Sequence, residues 1–389
     1  MKTFYKPNLE VADIFNQFGH LLGPLPRNQR KVVQDIKNCR TSVLGGHNLK
    51  CDQCEYQKNS YNSCRNRHCS KCQFMAQVRW IEKRKEDLLP CQYFHVVFTV
   101  PSQLNPLILR NKKDSYNILF KAASETLKEV AENPKRLGAD IGFIGVLHSW
   151  GQNLLDHPHI HFIVPGGGLN KKKTKWLPCK KNYFLPVQVL SKVFRGKVLN
   201  YFEKAFTNKK LSFMGQIEYL SSYANFKELL ITCASKEWVI YSKESFDGPK
   251  QVINYLGQYT HRIAISNYRL VKVENERVFF KVRDRDNPKK KKTMSVHGKE
   301  FMRRFLLHVL PPRYVRIRHF GLLGNRLKKM KIDIIRRLQG IKEKIKEQLK
   351  QTWKELLETF TGIDADLCPK CMKGCLIRTR RIIPVVNSP

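Results

Sequence analysis

Histidines at alternate positions form the clearest chemical pattern in the sequence. His157, His159 and His161 lie in a short apolar segment, residues 157–164, and account for three of the chain's 12 histidines. Because side chains alternate across a β-strand, His159 and His161 point to the same face, and their imidazoles can share one metal ion. A half-exposed strand that carries polar residues is the simpler alternative, but so dense a group of histidines favours a metal site.

A stable site needs a third ligand, and the sequence leaves several candidates open. His148 and Gln152 lie on or just after the preceding predicted strand, Asp156 lies in the intervening loop, and Gln258 lies much further along. Spacing does not rank them. Imidazole pairs suit Mn, Fe, Co, Ni or Zn, whereas Mg prefers oxygen ligands. We expect Mg²⁺ or Mn²⁺ as the catalytic cation.

Two tyrosines could supply a nucleophile. Tyr255 and Tyr259 are four residues apart in a predicted helix over residues 249–261, so they share one helical face. A phenolic oxygen attacks phosphorus when a cation stabilises the charge on the phosphate. Two aromatic residues at this spacing are more often core residues, so this interpretation depends on the histidine pair. Gly257 in mid-helix costs about 0.5–1 kcal/mol relative to Ala, which indicates a close approach to DNA or to the histidine strand.

Paired cysteines form two metal knuckles near the N-terminus. Cys51 and Cys54 form one pair, and Cys69 and Cys72 form the other; each pair can place two thiolates on a tetrahedral Zn²⁺. Other residues of ligand type surround them: Cys39, His47, Cys64 and His68. The eight residues fill one structural zinc site with spares or two complete sites, and one site is the simpler expectation. Buried free cysteines or a redox pair are the alternative.

The charge of the chain predicts a polyanionic partner. Lys and Arg outnumber Asp and Glu by 72 to 32, which gives a formal net charge of +40. No 18-residue apolar run is present, which disfavours a membrane, and residues 1–10 lack the apolar stretch of a secretion signal. We therefore expect a cytoplasmic, nucleoid-associated protein. The residues predicted to contact DNA are Arg65, Arg67, Lys71, Arg262, Arg316 and Arg318.

The elements that must position these groups indicate an α+β fold in three parts. Residues 1–89 are predicted to hold an N-terminal helix (within 10–36) and the zinc-binding region, and residues 90–285 the catalytic domain. Predicted strands cover residues 93–100, 143–150 and 159–164. Residues 286–389 are predicted to form a basic C-terminal region with one long helix over 326–360. The cysteines that follow, Cys368, Cys371 and Cys375, could form a second small zinc hook, although no fourth ligand is evident in the sequence.

Together, in this order, the motifs resemble the rolling-circle insertion-sequence transposases of the HUH class (His, a hydrophobic residue, His). The similarity is to the branch with an N-terminal zinc-binding region and two tyrosines, and it covers roughly residues 10–330. The matching stretches are residues 44–54, 61–73, 93–101, 147–151, 157–161, 165–168, 255–262 and 316–321. Ser70 stands where the family pattern leads us to expect proline.

The resemblance implies a ferredoxin-like antiparallel sheet with the histidine pair on a central strand and the tyrosines on an adjacent helix. It implies that His159 and His161 bind metal and that Tyr255 and Tyr259 are nucleophiles. It further implies cleavage of one strand at each transposon end, a 5′-phosphotyrosine link, and strand transfer with replication. Single-stranded transposon-end DNA is then the partner, the host replication machinery is a candidate partner, and the oligomeric state stays open.

Other classes of protein share parts of the pattern. A metallohydrolase with a His-x-His strand commonly has Asp two residues after the second histidine, where this chain has Ile163. A rolling-circle replication initiator or relaxase-like nickase shares the histidine pair and the tyrosine, and the zinc region favours the transposase over it. A non-catalytic zinc-dependent DNA-binding protein is the remaining alternative.

Overall fold

A computed structural model describes residues 8–245, 257, 260–261, 264–284, 287, 290–341 and 352–385. The helices are α1 Val11–Phe18, α2 Arg27–Asn38, α3 Gln73–Lys85, α4 Asn105–Arg110, α5 Lys112–Glu132, α6 Val187–Thr207, α7 Tyr223–Ser235, α8 Gly298–Leu307, α9 Lys328–Leu338 and α10 Trp353–Thr361. The strands are β1 Gly46–Cys51, β2 Gln57–Tyr61, β3 Tyr93–Thr99, β4 Gly142–Trp150, β5 Asp156–Pro165, β6 Gly167–Leu169, β7 Trp176–Pro178, β8 Ile240–Ser245, β9 Leu270–Glu274, β10 Arg277–Arg283, β11 Lys291–His297, β12 Ile317–Gly321 and β13 Leu376–Ile382.

A five-stranded antiparallel sheet in the order β12-β4-β5-β3-β8 forms the centre of the molecule. Alternation along its strands places Phe98, Phe143 and Phe162 on one face, where they join the aromatic and aliphatic side chains of α5 and α6 in the largest apolar cluster. Burial of this face holds the sheet in register, because a slip of one residue would expose it. The predicted α+β class with an antiparallel sheet is confirmed, as are the strands over 93–100, 143–150 and 159–164.

The opposite face of the sheet carries the histidines at one end and apolar residues at the other. Ile144 and Ile163 on this face belong to two apolar clusters against which Trp80 of α3 packs, and α9 adds Ile332 and Ile335 to the cluster of Ile144. The helix α3 therefore lies on the histidine face, directly after the cysteine-rich region in sequence.

Two smaller sheets complete the described structure, besides the short pair β6-β7. The order β13-β1-β2 joins the C-terminal strand to the N-terminal cysteine-rich region, and β11-β10-β9 packs with α1, α2 and α8 around a second apolar cluster. The C-terminal part thus supplies β12 to the central sheet and β13 to the N-terminal sheet. The domain boundaries 1–89, 90–285 and 286–389 stay a prediction.

Two predicted helices are shorter than expected. The periodic segment 10–36 is divided between α1 and α2, because Pro24 and Pro26 fall between them and proline interrupts a helix. The single long helix over 326–360 is wrong: α9 ends at Leu338, and Gly340 takes the left-handed conformation (φ 74°) typical of a helix end. A second helix, α10, begins with Thr352 as its N-cap. Within the described residues, no helix combines the length and the apolar character needed to cross a membrane.

Candidate metal centre and cysteine clusters

Three histidines from two paired strands converge on one face of the central sheet. His148 of β4 is the direct antiparallel partner of His159 of β5, and His161 follows on the same face of β5. One ligand nitrogen from each of the three residues lies within 4.8 Å of the other two. Among the candidates for a third ligand, the structure therefore brings in His148. Gln152 lies in the β4–β5 turn, where its backbone carbonyl accepts a hydrogen bond from Arg269.

A β-bulge at the mouth of this strand pair explains how a central strand accommodates proline. His148 pairs with His159 and Trp150 pairs with Asp156, so His157 and Pro158 together stand opposite one residue of β4. Proline donates no backbone hydrogen bond and is found in sheets mainly at edges and bulges. On the other side, β3 ends at Thr99, the partner of His159, so β3 does not extend to Pro158. The bulge separates His157, which is exposed and outside the histidine cluster, from the other two.

The outer ring nitrogens of the two β5 histidines are held by hydrogen bonds. His159 Nδ1 donates to the backbone carbonyl of His157 at 2.6 Å, and His161 Nδ1 lies 2.8 Å from Nε2 of His95 on β3. Burial lowers the pKa of His95 to about 4, so His95 is neutral at pH 7 and Nε2 can accept the proton of His161. Metal-binding histidines usually donate their other ring nitrogen in this way, which leaves Nε2 for the metal. The three residues fit a divalent cation that prefers imidazole.

Packing around His148 fixes the end of β4. Its ring stacks on Trp150, with the ring centroids 4.7 Å apart and an angle of 22° between the planes. The next residue, Ser149, is hydrogen-bonded to His308 Nδ1 at 3.2 Å, while His308 Nε2 lies 2.9 Å from the Leu154 carbonyl. Burial lowers the pKa of His308 to about 4, so this histidine is a neutral bridge that holds the β4–β5 turn.

The predicted nucleophiles Tyr255 and Tyr259, together with Gln258 and Arg262, lie outside the described residues. Their neighbours Gly257, Thr260 and His261 are described. A Cβ atom on Gly257 would lie 2.3 Å from Cδ1 of Ile81 in α3, so the close approach that requires glycine is to this helix. Thr260 is fully buried, and the ring of His261 lies 6.2 Å from that of Trp80. Gly257 and His261 therefore pack against α3, on the histidine face of the sheet.

A cluster of four cysteines organises the end of the cysteine-rich region. Cys39, Cys64, Cys69 and Cys72 bring their Sγ atoms together, with 3.5 Å between Cys39 and Cys72 and 3.6 Å between Cys64 and Cys72. A tetrahedron with Zn–S bonds of about 2.3 Å has edges of about 3.8 Å, whereas a disulfide bond is about 2.05 Å long. The backbone N–H groups of Cys64 and Asn66 donate to Sγ of Cys39 and Cys64, which stabilises thiolates. The four residues fit one structural zinc ion.

The other predicted knuckle does not share this cluster. Cys51 and Cys54 lie instead with Cys368 and Cys371, near the other end of the chain. The expectation of a single N-terminal site formed by both knuckles is therefore wrong, since the two pairs are held apart in different clusters. Sequence reasoning missed the partners of Cys51 and Cys54, although the Cys-x2-Cys spacing at 368–371 was a signal for them.

The two histidines of the cysteine-rich region belong to neither cluster in the described structure. His47 lies in β1 opposite Ser60 and Arg381. His68 Nε2 accepts a hydrogen bond from the backbone of Leu310, and burial lowers the pKa of His68 to about 3. A neutral, buried histidine that bonds to the backbone supports the packing of this region rather than a metal ion.

Several of the arginines and lysines predicted to contact DNA are engaged within the protein. Lys71 forms an ion pair with Glu10 at 2.7 Å, and Arg67 donates to the backbone carbonyl of Tyr314. Arg318 donates to Asn117 at 2.6 Å, with its guanidinium over the ring of Phe120.

Arg316 and Arg65 have opposite surroundings. Arg316 is only 8% exposed, and burial lowers its pKa to about 10. A direct DNA contact by Arg316 does not fit this buried position. Arg65 is exposed, so the prediction stands unaltered for Arg65.

Comparisons with known proteins agree with this arrangement. A family model described as "Putative transposase" matches residues 142–331, and one described as "Transposase zinc-binding domain" matches residues 11–100. The "Putative transposase y4qJ" of Sinorhizobium fredii is 44% identical over 386 residues, which cover 98% of this chain and 97% of that protein. The "Transposase for insertion sequence element IS801" of Pseudomonas savastanoi pv. phaseolicola is 28% identical over 316 residues, covering 80% and 74%. No solved structure gives a significant match.

Proposed function

Since this chain belongs to the IS91/IS801 family of transposases, we propose that it nicks and rejoins single-stranded transposon-end DNA through a 5′-phosphotyrosine intermediate. The observation that carries the proposal is the convergence of His148, His159 and His161 on one face of the central sheet. DNA as the substrate class follows from the family. The tyrosine chemistry, the catalytic cation and the recognition of single-stranded element ends are the proposed part.

The three imidazoles provide an incomplete coordination shell. Three protein ligands leave positions open for phosphate oxygens, as in catalytic rather than structural metal sites. Mg²⁺ or Mn²⁺ bound there would polarise the scissile phosphate and stabilise its developing charge. The chain's own contribution is to orient the ligands: the His157 carbonyl and the His95 ring hold the Nδ1 atoms of His159 and His161.

Tyr255 or Tyr259 is the proposed nucleophile. The phenolic oxygen forms a bond to phosphorus, the bond from phosphorus to the 3′ oxygen breaks, and the DNA 5′ end stays on the protein. The phenol loses one proton and the departing 3′ oxygen gains one, so the step needs no net proton. Because a phosphodiester replaces a phosphodiester, attack by a 3′-hydroxyl rejoins DNA without another energy source. Two tyrosines on one helical face can serve two strands in turn.

The neighbours of the tyrosines support this assignment. Gly257 packs against Ile81, and His261 lies beside Trp80 on α3. The same Trp80 packs against the apolar cluster of Tyr93 and Ile163, and Ile163 is two residues beyond His161 on the same face of β5. Gly257 and His261 therefore lie on the side of the sheet that carries the three histidines. The positions of Tyr255 and Tyr259 themselves belong to the proposal.

The test uses single-stranded DNA from the ends of the element that encodes the protein, incubated with Mn²⁺ or Mg²⁺. A 5′-phosphotyrosine link retains a 3′-labelled fragment on the protein in a denaturing gel and releases a 5′-labelled fragment with a free 3′-hydroxyl. We expect the double variant Tyr255→Phe, Tyr259→Phe to form no adduct. We expect His159→Ala to slow adduct formation by about 10²–10³-fold, which corresponds to the loss of several kcal/mol of charge stabilisation.

Tyr268→Phe is the matched control, since Tyr268 is 60% exposed and lies outside the proposed site. It should form adduct at the wild-type rate. An adduct that persists in the double tyrosine variant would remove these residues as nucleophiles. Cleavage without any adduct would indicate a metallohydrolase, and an adduct without strand transfer would indicate a replication-type nickase.

A further inference from the structure

A second cluster of four cysteines joins the two ends of the chain. The Sγ atoms of Cys51 and Cys371 lie 3.7 Å apart, as do those of Cys54 and Cys368, although 320 and 314 residues separate the partners. These distances match the edge of a tetrahedral zinc–thiolate site, about 3.8 Å for Zn–S bonds of about 2.3 Å. All four residues lack a disulfide bond, and Cys51 and Cys368 are 4% and 0% exposed.

The backbone around the cluster favours thiolates. The N–H of Gln53 donates to Sγ of Cys51, and the N–H of Gly374 donates to Sγ of Cys371, each at 3.3 Å. In each half, a backbone N–H two or three residues after the cysteine therefore points at its sulfur. Four thiolates select zinc over the harder divalent ions.

The two knuckles fit each other closely. The N–H of Asp52 donates to the carbonyl of Cys375, and the N–H of Cys375 donates back to Oδ1 of Asp52 at 2.7 Å. A Cβ atom on Gly374 would lie 2.6 Å from both Cys51 Sγ and Asp52 Oδ1, so only glycine allows this approach. From this point β13 runs antiparallel to β1, with Leu376 opposite Cys51. The contact is specific enough to hold β13 in one register.

The strand that this cluster fixes is an arginine-rich sheet edge. In β13, Arg378, Arg380 and Arg381 are all exposed, and among the described strands β13 pairs with β1 alone. Within the described part of the chain, these three arginines form no ion pair, whereas Lys71 and Arg304 elsewhere are paired with glutamates. Exposed guanidinium groups on an extended strand suit the phosphodiester backbone of a nucleic acid, which they contact without reading sequence.

We propose that Cys51, Cys54, Cys368 and Cys371 form a second structural zinc site, and that this site holds the arginines of β13 as a surface for the DNA backbone. The metal part does not depend on the proposed tyrosine chemistry. The DNA-binding part rests on DNA being the substrate of the family, and it does not depend on which residue is the nucleophile. Loss of the site would leave β13 without its anchor, and the arginines would then contribute to binding only as a disordered tail.

The metal part is tested on the full chain by zinc content. In a His159→Ala background, which keeps zinc at the histidine cluster out of the count, we expect two zinc ions per chain with intact cysteines and one in the double variant Cys368→Ser, Cys371→Ser. Cys375→Ser is the matched control, since Cys375 is exposed and outside the cluster, and it should keep two. Cobalt substitution should halve the visible absorption of tetrahedral Co²⁺–thiolate in the double variant. Two zinc ions in the double variant would overturn the site.

A measurement on the wild type covers the case in which the double variant fails to fold. Alkylation of the native protein, followed by mass spectrometry, should show Cys51, Cys54, Cys368 and Cys371 protected together and released together by a chelator. Rapid alkylation of Cys368 and Cys371 while Cys51 and Cys54 stay protected would contradict a shared site.

The DNA part is tested by fluorescence anisotropy with single-stranded DNA that lacks the element ends. The triple variant Arg378→Gln, Arg380→Gln, Arg381→Gln should keep both zinc ions but bind more weakly. The slope of log affinity against log salt should fall by about 2, at roughly 0.7 per phosphate contact on a single strand. The triple variant Arg110→Gln, Lys135→Gln, Arg136→Gln removes the same charge from other exposed positions and should leave that slope within about 0.5. Equal slopes for the two triple variants would overturn the DNA part, whether or not adduct formation occurs.

Discussion

The cysteine clusters and the histidine cluster differ in the number of their candidate metal ligands and in the elements that carry them. Each cysteine cluster has four sulfur ligands supplied largely by turns, and its buried members Cys69 and Cys368 are fully enclosed. The histidine cluster has three nitrogen ligands on two rigid neighbouring strands, and His159 is only half-buried. Four ligands leave a zinc ion no open position, whereas three leave room for substrate. Under the proposed function, ligand number and scaffold therefore separate a structural from a catalytic role within one chain.

The two kinds of site also differ in what they hold together. The Cys39–Cys72 cluster adjoins α1, α2 and α8 in an apolar cluster, so its metal would contribute to folding. The histidine strands are already fixed by the central sheet, whose core is aromatic and independent of metal. Removing a ligand should therefore cost stability in one region and activity in the other.

The largest expected effect is on folding and concerns the cluster of Cys39, Cys64, Cys69 and Cys72, whose four sulfur atoms would leave a zinc ion no open position. Cys69→Ser should remove one zinc ion and lower the thermal midpoint by more than about 10 °C, because structural zinc sites in small peptides contribute on the order of 10 kcal/mol of folding free energy. Zinc content and thermal unfolding measure the two effects. Cys179→Ser, outside the clusters of the described structure, is the control and should keep full zinc content. A Cys69→Ser protein with unchanged zinc content and thermal midpoint would contradict a structural metal role for this four-cysteine cluster.

An intermediate effect is expected at His95, whose ring is hydrogen-bonded to His161 of the histidine cluster. His95→Gln should raise the Mn²⁺ concentration for half-maximal nicking by about 10–100-fold, because outer partners of metal-binding histidines tune metal affinity to this extent. The rate at saturating Mn²⁺ should fall much less, since His95 positions His161 and contacts no reacting atom. His20→Gln, at an exposed position, should leave both values unchanged. If saturating metal fails to restore the rate of the His95 variant, a positioning role is excluded.

The smallest effect concerns Asp156, a partly buried carboxylate at the start of β5, the strand that carries His159 and His161. Burial raises the pKa of Asp156 from 3.8 to about 7, against the opposing effect of Lys112, and neither carboxylate oxygen has a hydrogen-bond partner in the described structure. The ionised carboxylate therefore destabilises the fold above pH 7. Asp156→Asn should raise the free energy of unfolding at pH 8 by about 2 kcal/mol, half of the about 4 kcal/mol that the full pKa shift represents, because the Asp156 side chain is only partly buried.

The sign of the pH dependence provides the check on Asp156. In the wild type, protonation of Asp156 in the folded state relieves the cost as pH falls through about 7, and the relief is complete near pH 4, where the unfolded carboxyl also protonates. The advantage of the Asn variant should therefore shrink steadily between pH 8 and pH 4 in denaturant titrations. Glu218→Gln, at an exposed acidic position, should show no such trend. An advantage that grows on acidification would contradict the raised pKa.

The parts of the fold that follow local rules were predictable. The strands at 93–100, 143–150 and 159–164 were found because β-branched and aromatic runs bounded by proline and glycine have a direct local cause. The long helix at 326–360 was mispredicted because its apolar stripe continues past Gly340, where the backbone turns left-handed. The metal role of His159 and His161 remains a prediction, which the geometry of the cluster supports.

The sequence alone identified candidate metal-binding residues and the family. The residues are two histidines at alternate positions of one strand and two Cys-x2-Cys pairs near the N-terminus. The family follows from motifs that occur in the same order in transposases. What only the tertiary structure decided is which residues meet. His148 joins the pair because β4 and β5 align it with His159, and Cys51 and Cys54 join Cys368 and Cys371 because β13 returns to β1. The physical reason is that the spacing of two residues within one helix or strand determines whether their side chains point to the same face. Residues far apart in sequence are brought together by packing and by strand register.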